Sequence, residues 1–367
     1  EMTINSHEKY TKQEGKKDHT DEGVTLREFC AMRKSGRHQN RVQQDDELHE
    51  LFKIDDWTKL RKVKFTNENL AEKISQIKLS QCCRPLTRAS ETHVQGVISL
   101  AEKYKNFSDF LLNFVVPQIY LQAITNEPLK LQNFCLVGEP GIGKSAMLNE
   151  LAAVMGLGGK IFDASSIQAS HVLNGLSRNY TSADVGLIFR AMLLETDQVT
   201  SMPRPANTIF CIDEIEKVGR SDQYGSVLDL LLSLLENQTS KRFADVCIPE
   251  LPLNLEKLNW CFTANLTEDL SAPLRSRVVE IHVPSPTQEQ SMEIATGIFQ
   301  DEIQLLKGRV KVLPDLEYSE LEKLTEYSPR QQKQQLRLAI ARAIQEGRNT
   351  LEINPKSHTK TFRMGFL

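Results

Sequence analysis

One run constrains the fold of this chain more than any other: Gly138-Glu139-Pro140-Gly141-Ile142-Gly143-Lys144-Ser145, with Ala146 directly behind it. It fits the pattern G-x-x-x-x-G-K-[ST] without a mismatch. Phe134-Cys135-Leu136-Val137 before it reads as a buried strand, and Ala146-Met147-Leu148-Asn149-Glu150-Leu151 after it as the start of a helix. Strand, loop and helix in that order are the context the pattern requires. The glycines let backbone N–H groups turn inward around phosphate oxygens, and the helix N-terminus favours the same anion. Lys144 is expected to reach the β- and γ-phosphates of ATP, and Ser145 to hold Mg²⁺. An ordinary glycine-rich turn between a strand and a helix is the alternative. The Lys-Ser pair and the flanks weigh against it.

A parallel α/β sheet follows from what surrounds this run. Apolar strands are expected at Phe134–Val137, Lys160–Ala164, Thr208–Asp213, Asn259–Thr263 and Val278–Val283, with helical segments between most of them. Such alternation argues for a parallel sheet with helices on both faces, and functional loops then sit at the carboxyl ends of the strands. Phe107 to Thr125 reads as a hydrophobic helix interrupted or kinked at Pro117. After Pro284-Ser285-Pro286 the pattern turns helical, with candidates over 288–300, 316–327 and 330–346. The expected division is a disordered tail over 1–25, a helical extension over 26–90, the α/β domain over 91–286, a helical lid over 287–347 and a tail over 348–367. The stretch Leu48-His49-Glu50-Leu51-Phe52-Lys53-Ile54 is read as part of the helical extension.

With 367 residues, 40% of them hydrophobic and 25% charged, the chain suits a soluble protein with a real core. A net charge of -3 advertises no global basic field for nucleic acid. The seven cysteines include no C-x-x-C pair with a partner pair, which fits a reducing, cytoplasmic setting. Cys135, Cys211 and Cys261 lie in apolar strand-like runs and are expected to be small buried hydrophobes. The adjacent Cys82 and Cys83 have no metal-ligand logic and are read as structural. There is no apolar run long enough to span a membrane and no signal-peptide core.

The second strong signal is Thr208-Ile209-Phe210-Cys211-Ile212-Asp213-Glu214. An apolar strand ending in two carboxylates suits a nucleotide hydrolase: Asp213 would bind Mg²⁺, usually through water, and Glu214 would polarise the attacking water. A strand ending in a solvated acidic turn is the plainer alternative.

Together the two motifs resemble the AAA+ family of ATPases, a P-loop NTPase fold followed by a small helical lid. Cys261-Phe262-Thr263-Ala264-Asn265 resembles the family's sensor 1 strand, which implies that Asn265 lies between Glu214 and the γ-phosphate. Ala272-Pro273-Leu274-Arg275-Ser276-Arg277-Val278 resembles the arginine-finger segment; Arg277 matches best and Arg275 competes. A finger acts on a neighbour's nucleotide, so the resemblance implies a ring, expected to be a hexamer. Ser328-Pro329-Arg330 resembles sensor 2, with Arg330 touching the γ-phosphate from the lid.

Within AAA+ proteins, the ATPase module of Lon proteases is most similar over roughly residues 130–347. Asp213-Glu214-Ile215-Glu216-Lys217-Val218 carries the likeness, with the run from Phe243-Ala244-Asp245 to Leu255 and the segment from Leu173-Asn174-Gly175-Leu176 to Asn179-Tyr180-Thr181. The last resembles a pore loop, which implies that Tyr180 grips extended polypeptide in a central channel. An aliphatic residue typically follows that aromatic, whereas Thr181 stands here. About twenty residues follow the last lid helix, too few for a protease domain, so no peptidase activity is expected of this chain. The expected function is an Mg-ATP-driven motor that remodels or unfolds a protein substrate, which it meets directly or through an adaptor. Nucleic acid and membrane are not expected partners. The rival readings are a nucleic-acid-associated ATPase, for which Arg27, Arg33, Lys34, Arg37 and Arg41 are the candidate basic cluster, and a nucleotide-binding scaffold without turnover.

Overall fold

The computed structural model describes residues 48–354 apart from 198–200, 220–225 and 311–312. The expected tail over 1–25, Cys30, the basic cluster from Arg27 to Arg41 and the end of the chain from 355 onward lie outside the described residues.

Continuous apolar runs make the central sheet. Strands β1 (Leu48–Glu50) and β2 (Cys83–Pro85) form a separate antiparallel ladder, while β3 (Phe134–Val137), β4 (Gly159–Asp163), β5 (Ile209–Asp213), β6 (Asn259–Ala264) and β7 (Val279–His282) form one parallel sheet. Its order is β4-β5-β6-β3-β7. Every residue of β3 and β6 is buried, as expected for strands covered on both faces. The register aligns Val137 with Ala264 and Asp163 with Asp213, so the loops leaving β3, β5 and β6 emerge at one edge. Because β6 lies between β5 and β3, whatever follows β6 stands between the phosphate loop and the acidic strand end. Cys135, Cys211 and Cys261 are buried within these strands as free thiols.

Helices α1 (Ile54–Arg61), α2 (Glu68–Ser75), α3 (Glu91–Lys103), α4 (Val116–Thr125), α5 (Lys144–Val154), α6 (Leu187–Leu193) and α7 (Val227–Leu235) accompany the sheet. Phe110 and Phe114 pack on Phe134 at centroid distances of 5.0 and 5.6 Å, tying the segment before α4 to the first strand of the parallel sheet. The interruption expected at Pro117 takes the form of a π-helical turn over Leu111–Val115 just ahead of it. Proline offers no N–H and crowds the preceding turn, and a widened turn absorbs both without ending the helix.

The extension is not purely helical. Leu48–Glu50 pairs with Cys83–Pro85, and Leu51 N–H donates to Cys82 O at 2.7 Å while Leu51 O accepts from Asn254 N–H at 2.7 Å. Leu51 and Phe52 are both fully buried neighbours, which an extended segment between two surfaces accommodates and a one-sided helix does not. The helical pattern starts only at Ile54.

The lid consists of α8 (Gln288–Leu306), α9 (Tyr318–Leu324) and α10 (Pro329–Glu346). Thr287 and Gln290 cap α8 reciprocally, at 3.2 and 3.0 Å. Fully buried Gln332 donates to Ser291 Oγ at 2.7 Å and to Leu324 O at 3.0 Å, which joins all three helices. The lid extends past 347, where a tail was expected to begin. Leu351 and Ile353 are buried in its core, and Leu351 N–H donates to Asp315 O at 3.1 Å. Among the described residues no helix is long and apolar enough to cross a membrane.

Candidate nucleotide-binding site

The loop after β3 is shaped by its glycines. Gly141 and Gly143 take φ of 83° and 105°, a region costly for any other residue. At Gly138 a Cβ would come within 2.5 Å of the Val283 carbonyl oxygen, so only glycine lets β7 approach this closely. Gly143 stands at the N-terminus of α5, and no side chain caps that end. Its first N–H groups, which by helix geometry lack intrahelical acceptors, are left for an anion.

Lys144 is 7% exposed, and its ammonium donates to the carbonyls of Gly138 (2.5 Å) and Glu139 (3.1 Å), with Asn265 Oδ1 at 3.4 Å. Burial lowers its pKa from the usual lysine range, against the opposing pull of Asp213, Glu216 and Glu214. The Glu139 carboxylate accepts from Ser285 Oγ at 2.7 Å, tying the loop to the segment after β7.

The acidic strand end meets this loop directly. Ser145 Oγ donates to Asp213 Oδ2 at 2.7 Å. Thr263 Oγ1, fully buried on β6, donates to Asp213 Oδ1 at 2.5 Å and accepts from the Glu214 backbone N–H at 2.8 Å. That hydroxyl fixes the corner where β5 ends. Glu214 itself has φ 56° and ψ 55°, an uncommon conformation for a non-glycine residue, of the kind that clusters at functional sites. Its carboxylate pairs with Lys217 at 2.5 Å, and that hydrogen bond raises the Lys217 pKa.

Asn265 follows β6 and stands beside Lys144. Its partner is Glu216 rather than Glu214: the side-chain amide and the backbone N–H donate to Glu216 Oε1 at 2.5 and 3.3 Å. Arg330 opens α10 against the phosphate loop, with its backbone N–H 3.4 Å from Gly141 O and its side chain exposed. Arg277 lies apart from this cluster, bonded to Glu236 at 2.9 Å and to Pro273 O at 3.1 Å. Arg275 pairs with Glu280 at 2.6 Å. Tyr180 is 54% exposed on the loop between Gly175 and Gly186.

Thr263, Glu216 and the Glu139–Ser285 contact had no role assigned from sequence. A hydroxyl inside the apolar run from Trp260 to Ala264 was the available signal for Thr263. Nothing in the sequence pairs Glu216 with a residue 49 positions away.

This donor set fits a nucleoside triphosphate with Mg²⁺. An uncapped helix N-terminus and an ammonium face the phosphate position, and a hydroxyl and a carboxylate stand together where a hard cation would sit. Mg²⁺ is ordinarily held by one or two protein oxygens with water and phosphate completing its shell, so a protein-only cage is not needed.

Residues 134–285 match the family model described as "ATPase family associated with various cellular activities (AAA)". That stretch of the chain is similar to AAA domains. A Lon protease of Chloroflexus aggregans is 23% identical over 53% of this chain and 24% of its own length. Another, of Malacoplasma penetrans, is 30% identical over 44% of this chain and 19% of its own. The chain thus spans a quarter or less of the length of these relatives. A point mutant of Thermotoga maritima RuvB is 14% identical, with a TM-score of 0.45, over 68% of this chain and 64% of that one. The parallel strand order and the match over residues 134–285 agree with a P-loop NTPase sheet.

Proposed function

We propose that this chain hydrolyses Mg-ATP within a ring and uses the energy to remodel or thread a protein substrate. The observation that carries the hydrolysis is the hydrogen bond from Ser145 to Asp213 beside Lys144, with Glu214 next in sequence to Asp213. Mg²⁺, when bound there, supplies charge neutralisation of the phosphates. Lys144 and the α5 N-terminus orient the triphosphate. Asp213 and Ser145 provide oxygens for the cation, and Thr263 holds Asp213 in place. The Glu214 carboxylate orients the attacking water and takes up its proton. Arg330, at the end of the lid helix that meets Gly141, is assigned to the γ-phosphate side. Arg277 is assigned as the finger to a neighbouring subunit, with Arg275 as its competitor. Tyr180, exposed at its loop, is assigned to the substrate.

The test is ATP turnover by the wild type and by Glu214→Gln. The variant should bind ATP with near-normal affinity, lose turnover about a hundredfold or more and retain its partners in ATP. Partners captured by that trap, identified by mass spectrometry, name the substrate. Normal turnover in Glu214→Gln would remove its assigned role. Capture of nucleic acid alone would replace protein remodelling with the nucleic-acid reading.

A further inference from the structure

We propose that Glu216 is a positioning residue for hydrolysis, setting the orientation of the Asn265 amide so that its oxygen faces Lys144. The inference rests on the ATPase reading above and adds a residue to it. Glu216 lies on the helical turn Ile215–Lys217, directly after Glu214 turns away in its left-handed conformation. Two donors of Asn265, one from the side chain and one from the backbone, converge on Glu216 Oε1 at 2.5 and 3.3 Å. On its other side Asn265 offers Oδ1 to the Lys144 ammonium at 3.4 Å.

The chemistry of the three groups leaves one arrangement. A carboxylate only accepts and an ammonium only donates, whereas an amide does both and is nearly symmetric in shape. With an acceptor on one side and a donor on the other, the amide must turn its NH₂ to Glu216 and its oxygen to Lys144. The neighbouring Glu214 does not compete, because its carboxylate is held by Lys217. Glu216 Oε2 is buried without a hydrogen-bond partner among the described residues. Burying a carboxylate oxygen this way is costly, so a residue selected only for packing would not be an acid here. An acceptor-only group is what the orienting role demands.

Glu216→Gln discriminates sharply, because glutamine has the same shape but presents both donor and acceptor. Its kcat for ATP should fall about tenfold or more, with KM changed by less than about threefold. Asn265→Ala should fall comparably, and the double variant should be no slower than the slower single one. In the nucleotide-free protein, hydrogen exchange at the Asn265 backbone amide should be faster in Glu216→Ala than in the wild type. Multiplicative losses in kcat, a wild-type rate in Glu216→Gln, or unchanged exchange at Asn265 would each overturn the proposal. A wild-type protein without ATP turnover would defeat the ATPase reading instead, and the exchange measurement would still decide the Glu216–Asn265 contact.

Discussion

The loop after β3 and the loop between Gly175 and Gly186 are held by opposite means. The first takes its shape from its own glycines and from the strand and helix adjacent to it in sequence. The second closes on itself through the Leu176 N–H and Asp184 O and is otherwise fastened by residues far away. Asp245, fully buried, accepts from Gly186 N–H at 2.8 Å and Cys247 N–H at 2.8 Å. Its Oδ1 occupies the space where a Cβ on Gly175 would stand, 2.1 Å away. Val246 N–H donates to Asn174 O at 2.7 Å. Asp184 at the loop's far end pairs with Lys73 of α2 at 2.6 Å and Arg190 of α6 at 2.9 Å, and Arg178 pairs with Glu250 at 2.5 Å. One loop is thus shaped mainly by its own glycines, with outside ties at Ser285 and Arg330, and the other is positioned chiefly by the extension and by the 243–255 segment. Changes to the first should therefore touch nucleotide and leave the fold alone, and changes to the second the reverse.

The largest expected effect tests the first half of that contrast. Lys144→Ala removes the only side-chain cation that reaches the phosphate position from within the loop. Affinity for a fluorescent ATP analogue should drop on the order of a hundredfold, while the unfolding midpoint stays close to that of the wild type. The fold should hold because the Lys144 ammonium bonds chiefly to carbonyls of its own loop. Retained binding would detach the loop from its assigned ligand.

Legibility in the sequence divides along the same line. The phosphate loop, its strand and its helix could be read because everything they need is contiguous: four apolar residues, then glycines, then Lys144 and Ser145. Asp213 and Glu214 were legible because an apolar strand ends abruptly in two acids. The partnership of Glu216 with Asn265 was not, since it depends on β5 and β6 being neighbours. Asp245 was visible only as part of a resemblance, because its role is to receive backbone N–H groups from a segment 59 residues earlier. Leu48–Glu50 looks helical in sequence because its ladder partner, Cys83–Pro85, lies beyond two intervening helices.

The next effects bear on the second loop. Asp245→Ala would leave the buried Gly186 and Cys247 N–H groups without their acceptor, a destabilisation of roughly 2–5 kcal/mol by chemical denaturation. ATP affinity should change little. Asp245 also gives that loop a pH dependence. Burial pushes its carboxyl up to about 7, outweighing the N–H donors that favour the ionised form. The folded state therefore keeps this proton where the unfolded chain has already lost it. Its contribution to stability is fully present below about pH 4 and is lost as pH rises through about 7. Between pH 5.5 and pH 8 the wild-type denaturant midpoint should accordingly fall relative to that of Asp245→Asn, because the neutral amide does not titrate. A midpoint difference that stays constant over that range would show that Asp245 is not the titrating group.

The smallest effect separates fastening from stability. Lys73 and Asp184 are each more than a third exposed, so solvent screens their attraction, and Lys73→Ala should cost less than about 1 kcal/mol. Asp184 keeps Arg190, and its carbonyl still accepts from the Leu176 N–H at 2.9 Å, so the loop base remains closed. What the variant removes is the tie between α2 and the loop that carries Tyr180. Hydrogen exchange over residues 176–184 should therefore rise while global stability and ATP affinity stay nearly constant. If exchange in that segment is unchanged, the extension does not hold the loop, and Asp245 with Glu250 suffices. If global stability falls by several kcal/mol instead, α2 is part of the core that the loop depends on, and the two loops differ less than their contacts imply.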